Sequence, residues 1–365
     1  MFCIAAFIVF AILAIFSATY RPLAAKAWHC VLRRITFRPC DINFGAEMKG
    51  KIIGKLIFSH PRLARFLNRW IDWLSCIFVM LSIWSILDVL QSGLNLWVYD
   101  TCNPQSAESC SLSGEACGVE QQSLGFAEAI RAGRVGEWMT APAVQFFETL
   151  SRIPDRLKTW QPQEFLSPTA TFYRPRDEGK PYGLEIIDPS CTFCKKLTRH
   201  MVEAGALENV NVSYLLYPIP SSATGGYKFP HSFLMSSFIE ASKRVPRSRG
   251  DNAIAPDWQL IERIFEGTTD DPELQSRFAI GMTRLQAYAT LLSLLADIGY
   301  TQEEVDRIEA LASSEEVLQS LAEQRAIVEE RIRTIKIPTL LLGGRRFDRV
   351  IAPANIKNLI QGSSD

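Results

Sequence analysis

The apolar positions fall into two regimes. Near the N-terminus they form nearly unbroken runs; beyond about residue 165 they alternate with polar positions at strand and helix spacings. Phe2–Tyr20, "FCIAAFIVFAILAIFSATY", carries no charge. As a helix rising 1.5 Å per residue it would be ~28 Å long, enough to cross the hydrocarbon core of a bilayer. No basic residue precedes it and no clear small-x-small cleavage site stands before Arg21, so an uncleaved anchor is expected rather than a signal peptide. A second run, Trp73 to Tyr99, has the apolar core "LSCIFVMLSIWSIL", with Trp73, Trp97 and Tyr99 at its edges, where aromatic rings suit the two membrane interfaces. Asp88 falls toward one end of this run, where it can reach water.

The later part of the chain reads as mixed α/β. "YGLEIID", residues 182–188, predicts a short buried strand. Phe193, Leu197, Met201 and Val202 then recur at a helical period, and Val210, Val212, Tyr214 and Leu216 alternate as in a second strand. "IPTLLLGG" and "FDRVI" predict a pair of strands, and a closing helix starts at about Pro353. Between these halves, residues 229–333 form a long helical insertion, with pieces at Ser232–Lys243, Trp258–Phe265, Leu274–Ile298, Glu303–Leu311 and Glu315–Ile332. One mixed sheet covered by helices accounts for the pattern. Residues 124–160 carry helical spacing broken by Pro142 and Pro154 and read as a connecting arm. The expected organisation is a membrane anchor, 1–99, with two transmembrane helices at about 2–20 and 73–97. A Cys-containing linker and helical arm, 100–164, leads to an α/β domain, 165–365.

Charge orients this arrangement. The 39 basic and 39 acidic residues cancel, which argues against a nucleic-acid partner. Locally they do not cancel. Arg21, Lys26, Arg33, Arg34, Arg38, Lys49, Lys51, Lys55, Arg62, Arg65 and Arg69 lie between the two apolar runs, opposed there, before the edge of the second run, by Asp41 and Glu47. After Tyr99 no Lys or Arg appears until Arg131. Positive loops stay in the cytoplasm, so residues 21–72 are expected inside and everything after about 100 outside. The inner stretch "GKIIGKLIFSHPRLARFLNRW" suits either an anionic bilayer surface or a helix packed on the membrane segments.

The compartment decides how the nine cysteines are read. Cys30 and Cys40, with His29, match no standard zinc spacing and are expected to be reduced structural thiols. Cys102, Cys110 and Cys117 lie in the polar linker "DTCNPQSAESCSLSGEACGVE", outside, where at least two should pair. A structural staple is the simpler role; a relay passing electrons to Cys191 is the alternative. Cys191 and Cys194 stand in "DPSCTFCKKL", between a strand and a helix. A cysteine at a helix start meets unpaired N–H groups and the positive end of the dipole, which favour a nucleophilic thiolate. The cysteine one turn on is close enough to resolve a mixed disulfide. A zinc site would need two further ligands; His200 is the nearest candidate, and no second CxxC exists.

"IIDPSCTFCKKL", followed by "VSYLLYPIP" and much later by "IKIPTLLLGG", resembles the thioredoxin fold, and most closely the periplasmic Dsb-type (DsbA/DsbC/DsbG-like) thiol:disulfide oxidoreductases and isomerases. The resemblance covers roughly 165–362. It implies that Pro338 is a cis-proline facing the CxxC, with Ile337 before it and the loop pairing with substrate backbone. It implies that Glu185 is a buried acid that takes the proton of Cys194, and that Thr192 and Phe193 border the substrate. Thr192–Phe193 matches neither the strong-oxidant nor the reductant dipeptides, and the N-terminal dimerisation domain of the soluble isomerases is replaced by the membrane segments. The expected activity is oxidation or isomerisation of exported cysteine-containing proteins, with a membrane redox partner resetting the pair and no organic cofactor beyond a Cys191–Cys194 disulfide. The alternatives are a reductase in an extracytoplasmic electron-transfer chain and a non-enzymatic docking module.

Overall fold

The computed structural model describes residues 7–11, 13–14, 18–35, 50, 61–104, 115–119, 125–221, 225–249, 253–268 and 271–362. The chain divides into two compact units, Met1–Gln91 and Ser92–Asp365.

In the first unit, residues 7–11 and 13–14 are helical, and a 3-10 turn, Ala18–Tyr20, leads into α1, Arg21–Ile35. The rest of the expected first membrane segment lies outside the described residues. Helix α2, Pro61–Tyr99, begins in this unit. Among the described residues one stretch of helix is long and apolar enough to cross a membrane: Trp73–Tyr99, 27 residues. Most of its large apolar side chains, including Leu81, Trp84, Leu87 and Leu90, are exposed, while Val79, Val98 and Tyr99 are buried. Two such helices were expected; among the described residues one is found.

In the second unit the arm is helical, with α3 at Phe126–Arg131 and α4 at Val135–Ser151. Pro142 was expected to break this arm, yet α4 runs through it. The helix forgoes the one backbone bond a proline cannot donate. Thr149 on α4 donates to Asn95 Oδ1 at 2.8 Å in a buried contact, tying the arm to the end of α2.

The sheet has four strands in the order β3-β2-β5-β6. Strand β2, Tyr182–Ile187, is central and runs parallel to β3, Asn211–Leu216. It runs antiparallel to β5, Thr339–Leu342, which pairs with β6, Arg345–Phe347. Helix α5, Thr192–Glu203, joins β2 to β3, and α11, Pro353–Gln361, closes the chain and packs on α5. This strand–helix–strand unit followed by a hairpin and a helix is a thioredoxin-like topology. The second strand of the hairpin was expected at "FDRVI" but starts earlier. Gly343 and Gly344 both have positive φ (59° and 73°), the two-residue turn that sends the chain straight back into the ladder. Asp348 then leaves the ladder and accepts from Thr339 Oγ1 at 2.9 Å and Arg346 Nε at 2.8 Å.

The insertion comprises α6, Ser232–Ser242; α7, Pro256–Glu266; α8, Arg284–Asp297; α9, Gln302–Ala312; and α10, Glu315–Ala326. The expected single piece 274–298 is interrupted, because Thr283 caps α8 by accepting from Gln286 N–H. Helix α6 is the hub, with α7, α9 and α10 packed around it. Its Ser236, Ser237 and Ser242 are buried beside Phe238 and Ile239, and small side chains let helices approach closely. Fully buried Glu240 pairs with Lys243 at 2.9 Å and Arg244 at 2.8 Å, and accepts from Ser320 and Gln324 on α10. Burial opposes its charge, but the two cations and the hydroxyl hold its carboxyl down at about 2.

Glu240→Ala is expected to destabilise the second unit by roughly 3 kcal/mol, because it leaves the buried Lys243 ammonium without its carboxylate and leaves Arg244 only Glu316. Since the folded-state pKa is depressed, the stabilisation is present above the ordinary carboxylate range and is lost as pH falls toward 2. Urea unfolding of the full chain in detergent checks both points. An unchanged midpoint at neutral pH would remove the hub role.

Candidate functional site

The site forms where β2 runs out. Asp188, the residue after that strand, is fully buried. It accepts from Ser190 N–H at 2.9 Å, Ile219 N–H at 2.8 Å and Ser232 Oγ at 2.5 Å. It therefore fastens the loop before the cysteines to the chain beyond β3 and to the first residue of α6. Desolvation raises its carboxyl to about 6, against the pull of those donors. Gln275, from the insertion, is buried and donates to the carbonyls of Pro189 (3.0 Å) and Cys191 (3.1 Å). The loop conformation is thus held by side chains from a distant segment.

Cys191 occupies the N-cap of α5 with extended backbone (φ −80°, ψ 118°), and its carbonyl accepts from Cys194 N–H at 3.0 Å. Its sulfur is at the helix N-terminus, as the spacing of the cysteines predicts, and 3.9 Å from the carbonyl oxygen of Ile337. The Ile337–Pro338 bond is cis. Ile337 ends β4, Lys336–Ile337, and is fully buried. Thr192 is exposed, and Phe193 is half-buried against the core.

Cys194, one turn along, is a free, fully buried thiol. Burial is the largest cause raising it well above an ordinary thiol; nearby Glu185 adds to this, and the backbone N–H of Asp188 opposes it. Glu185 lies in the central strand, opposite Tyr214 on β3 and Leu340 on β5. It is fully buried and accepts from Thr198 Oγ1 of α5 at 3.3 Å on each oxygen. Desolvation pushes its carboxyl up to about 8. A group that changes charge near neutral pH thus sits beside a thiol that must lose a proton to react. His200, the zinc candidate, instead points a ring nitrogen at the carbonyl of Ile351 at 2.8 Å.

The structure departs from the expected redox pair in one respect. Cys191 is bonded to Cys117, not to Cys194. The reason is strand pairing. Cys117–Gly118 forms a strand, β1, antiparallel to β4, with Cys117 opposite Ile337 and Gly118 opposite Lys336. This pairing brings the Cys117 sulfur to the sulfur that Ile337 faces. The polar linker is therefore not all loop, and Cys117 does not pair with Cys102 or Cys110. Cys102 is also disulfide-bonded, and Cys110 lies outside the described residues.

No family model matches the chain, and no curated protein does. Solved structures similar to it include ScsC of Proteus mirabilis in a transitional conformation, 10% identical, covering 67% of this chain and 99% of that one at a TM-score of 0.39. The thiol-disulfide exchange protein α-DsbA2 of Wolbachia pipientis is 14% identical, covering 52% and 86% at 0.36. A thioredoxin-like oxidoreductase of Silicibacter pomeroyi DSS-3 is 14% identical, covering 54% and 93% at 0.32.

Sequence reasoning missed three contributors. Asp188 had a local signal, a carboxyl two residues before the N–H it accepts from. Gln275 had none, being 84 residues from the carbonyl it holds. The strand character of Cys117–Gly118 was hidden by its polar, glycine-bearing surroundings.

Proposed function

We propose that the chain is a membrane-tethered thiol:disulfide oxidoreductase, acting as oxidase or isomerase on exported cysteine-containing proteins. Cys191 attacks, Cys194 resolves, Glu185 moves the proton, and Ile337–Pro338 orients the substrate backbone, bordered by Thr192 and Phe193. One observation carries the reading. A cysteine caps a helix beside the carbonyl that precedes a cis-proline, with a second thiol one turn on and a buried carboxyl next to it. Helix N-terminal N–H groups stabilise the attacking thiolate, and the buried neighbour captures the sulfur once a mixed disulfide forms. No organic cofactor is required by this chemistry; the redox group is the Cys191–Cys194 couple.

The charge asymmetry around Trp73–Tyr99 supports an inner-membrane anchor, two-pass if Phe2–Tyr20 also spans, with the catalytic domain in an oxidising, periplasm-like space. Tethering to the bilayer raises the local concentration of the domain near emerging chains. A membrane redox protein is the partner that resets the pair.

The test uses the full chain carrying Cys117→Ser, which leaves Cys191 and Cys194 to pair, equilibrated in detergent with glutathione buffers. A potential near that of strong oxidants, roughly −120 mV, is the expected result. A value near roughly −270 mV would turn the assignment to a reductase. If no Cys191–Cys194 disulfide formed at any glutathione ratio, the domain would be a docking module instead.

A further inference from the structure

Resting on that reading, we propose that residues 115–119 are a substrate strand built into the chain, and that Cys117 is a third cysteine of the exchange cycle. The segment is held as an extended peptide substrate would be. Cys117 and Gly118 pair with the two residues before Pro338. Val119 N–H donates to Ile335 O at 2.9 Å, and Glu115 O accepts from Val350 N–H at 3.1 Å. Two lysines reach it from opposite parts of the domain. Lys196, two residues past Cys194, meets Glu115 Oε1 at 2.6 Å. Lys228, in the segment leading to α6, donates to Gly118 O at 3.3 Å. Ala116 and Cys117 are buried, and Val119 packs on the core. Backbone pairing along a strand with side-chain contacts at its ends is the general mode of extended-peptide recognition.

The covalent state fits the same role. A Cys117–Cys191 bond beside a free Cys194 has the connectivity of a mixed disulfide awaiting resolution. The next step balances within the protein. Cys194 passes its proton to Glu185, and its thiolate attacks Cys191 Sγ. The Cys191–Cys194 bond forms, the Cys117–Cys191 bond breaks, and Cys117 leaves as a thiolate that takes a proton from solvent. One disulfide replaces another, so no outside oxidant or reductant enters. Reversal returns the strand to its seat. The seated strand excludes other chains from Cys191, and the released one admits them. The substrates that replace it share its chemistry: an extended segment with a small residue after the cysteine and an acidic residue two before it, facing Lys196.

Peptide mapping of the non-reduced, acid-quenched full chain tests the exchange. Cys194→Ser should hold Cys117 on Cys191 in nearly every molecule, because nothing can resolve the bond. Cys191 found unpaired, or Cys117 found on another cysteine, overturns the proposal. The seat is tested by capture. A synthetic peptide with the sequence of residues 114–120, supplied at about 10 μM as its glutathione mixed disulfide, transfers to Cys191 with release of glutathione. A tethered thiol acts at an effective concentration of order millimolar, so Cys194→Ser should capture roughly a hundredfold less peptide than Cys117→Ser/Cys194→Ser. Equal capture overturns the proposal. Replacing the glutamate of the peptide by lysine should weaken capture about two- to fivefold, the scale of an exposed ion pair; no change removes the acidic preference. Failure of the double variant to capture any thiol would sink the catalytic reading itself, whereas capture by both variants alike would sink this inference alone.

Discussion

Cys191→Ser is expected to reduce thiol–disulfide exchange by the full chain to the rate measured without protein. Every other element of the site acts through that sulfur: the N-terminus of α5 stabilises it, Ile337 faces it, and Cys194 captures it. A serine hydroxyl in the same place is neither acidic enough to ionise nor able to form the mixed disulfide. Cys117→Ser/Cys194→Ser should behave differently, retaining attack but accumulating covalent adducts, because resolution is lost and no tethered thiol occupies Cys191. The two variants are compared by release of glutathione from a glutathionylated peptide, with adducts read by mass. Alkylation of the reduced chain at mildly acidic pH gives a second check, with Cys191 labelling ahead of ordinary thiols. Residual exchange in Cys191→Ser at the wild-type rate would remove the nucleophile from the scheme.

Glu185→Gln is expected to slow resolution by roughly 10²–10⁴-fold, the contribution of a positioned acid–base group. Cys194 is buried and resists ionisation, so its proton needs an acceptor inside the core, and of the two carboxyls that act on it, Glu185 and Asp188, Glu185 has the larger effect. With that carboxyl raised to about 8, the resolving rate should climb as pH approaches 8 and then level off, whereas the glutamine variant should lack this limb. Stability should move the other way. The native state holds a proton between about 4.5 and 8 that the unfolded chain releases, so stability is full below the ordinary carboxylate value and falls as pH rises through 8. Glu185→Gln removes that loss and should be the more stable protein at alkaline pH while resolving poorly. Stopped-flow resolution and urea unfolding across pH separate the two effects; parallel losses in both would mark Glu185 as a structural residue only.

The parts of this protein legible in its sequence share one property: their signal is local. Two cysteines after a strand predicted a helix-capping sulfur with a partner one turn on, and Cys191 and Cys194 stand so in the fold. The nearly unbroken apolar run from Trp73 needed no tertiary information to read as a helix long enough to span a bilayer. The short apolar run of "YGLEIID" marked β2 and alternation marked β3, and the resemblance carried by Ile-Pro before an apolar strand implied the loop that faces the cysteines.

What the tertiary structure alone decided rests on contacts between segments far apart in the chain. Nothing within β2 itself buries Glu185; Thr198 on α5 and the neighbouring strands enclose it, and enclosure is what raises its carboxyl. Gln275 acquires its role only when the insertion packs against the loop it holds, and Asp188 gains its third donor, Ser232, in the same way. Above all, the choice of partner for Cys191 was not written in the CxxC spacing. A cysteine 74 residues away reaches it because a two-residue strand pairs beside Pro338, with β4, which stands apart from the four-stranded sheet, and no pattern within either segment sets that pairing.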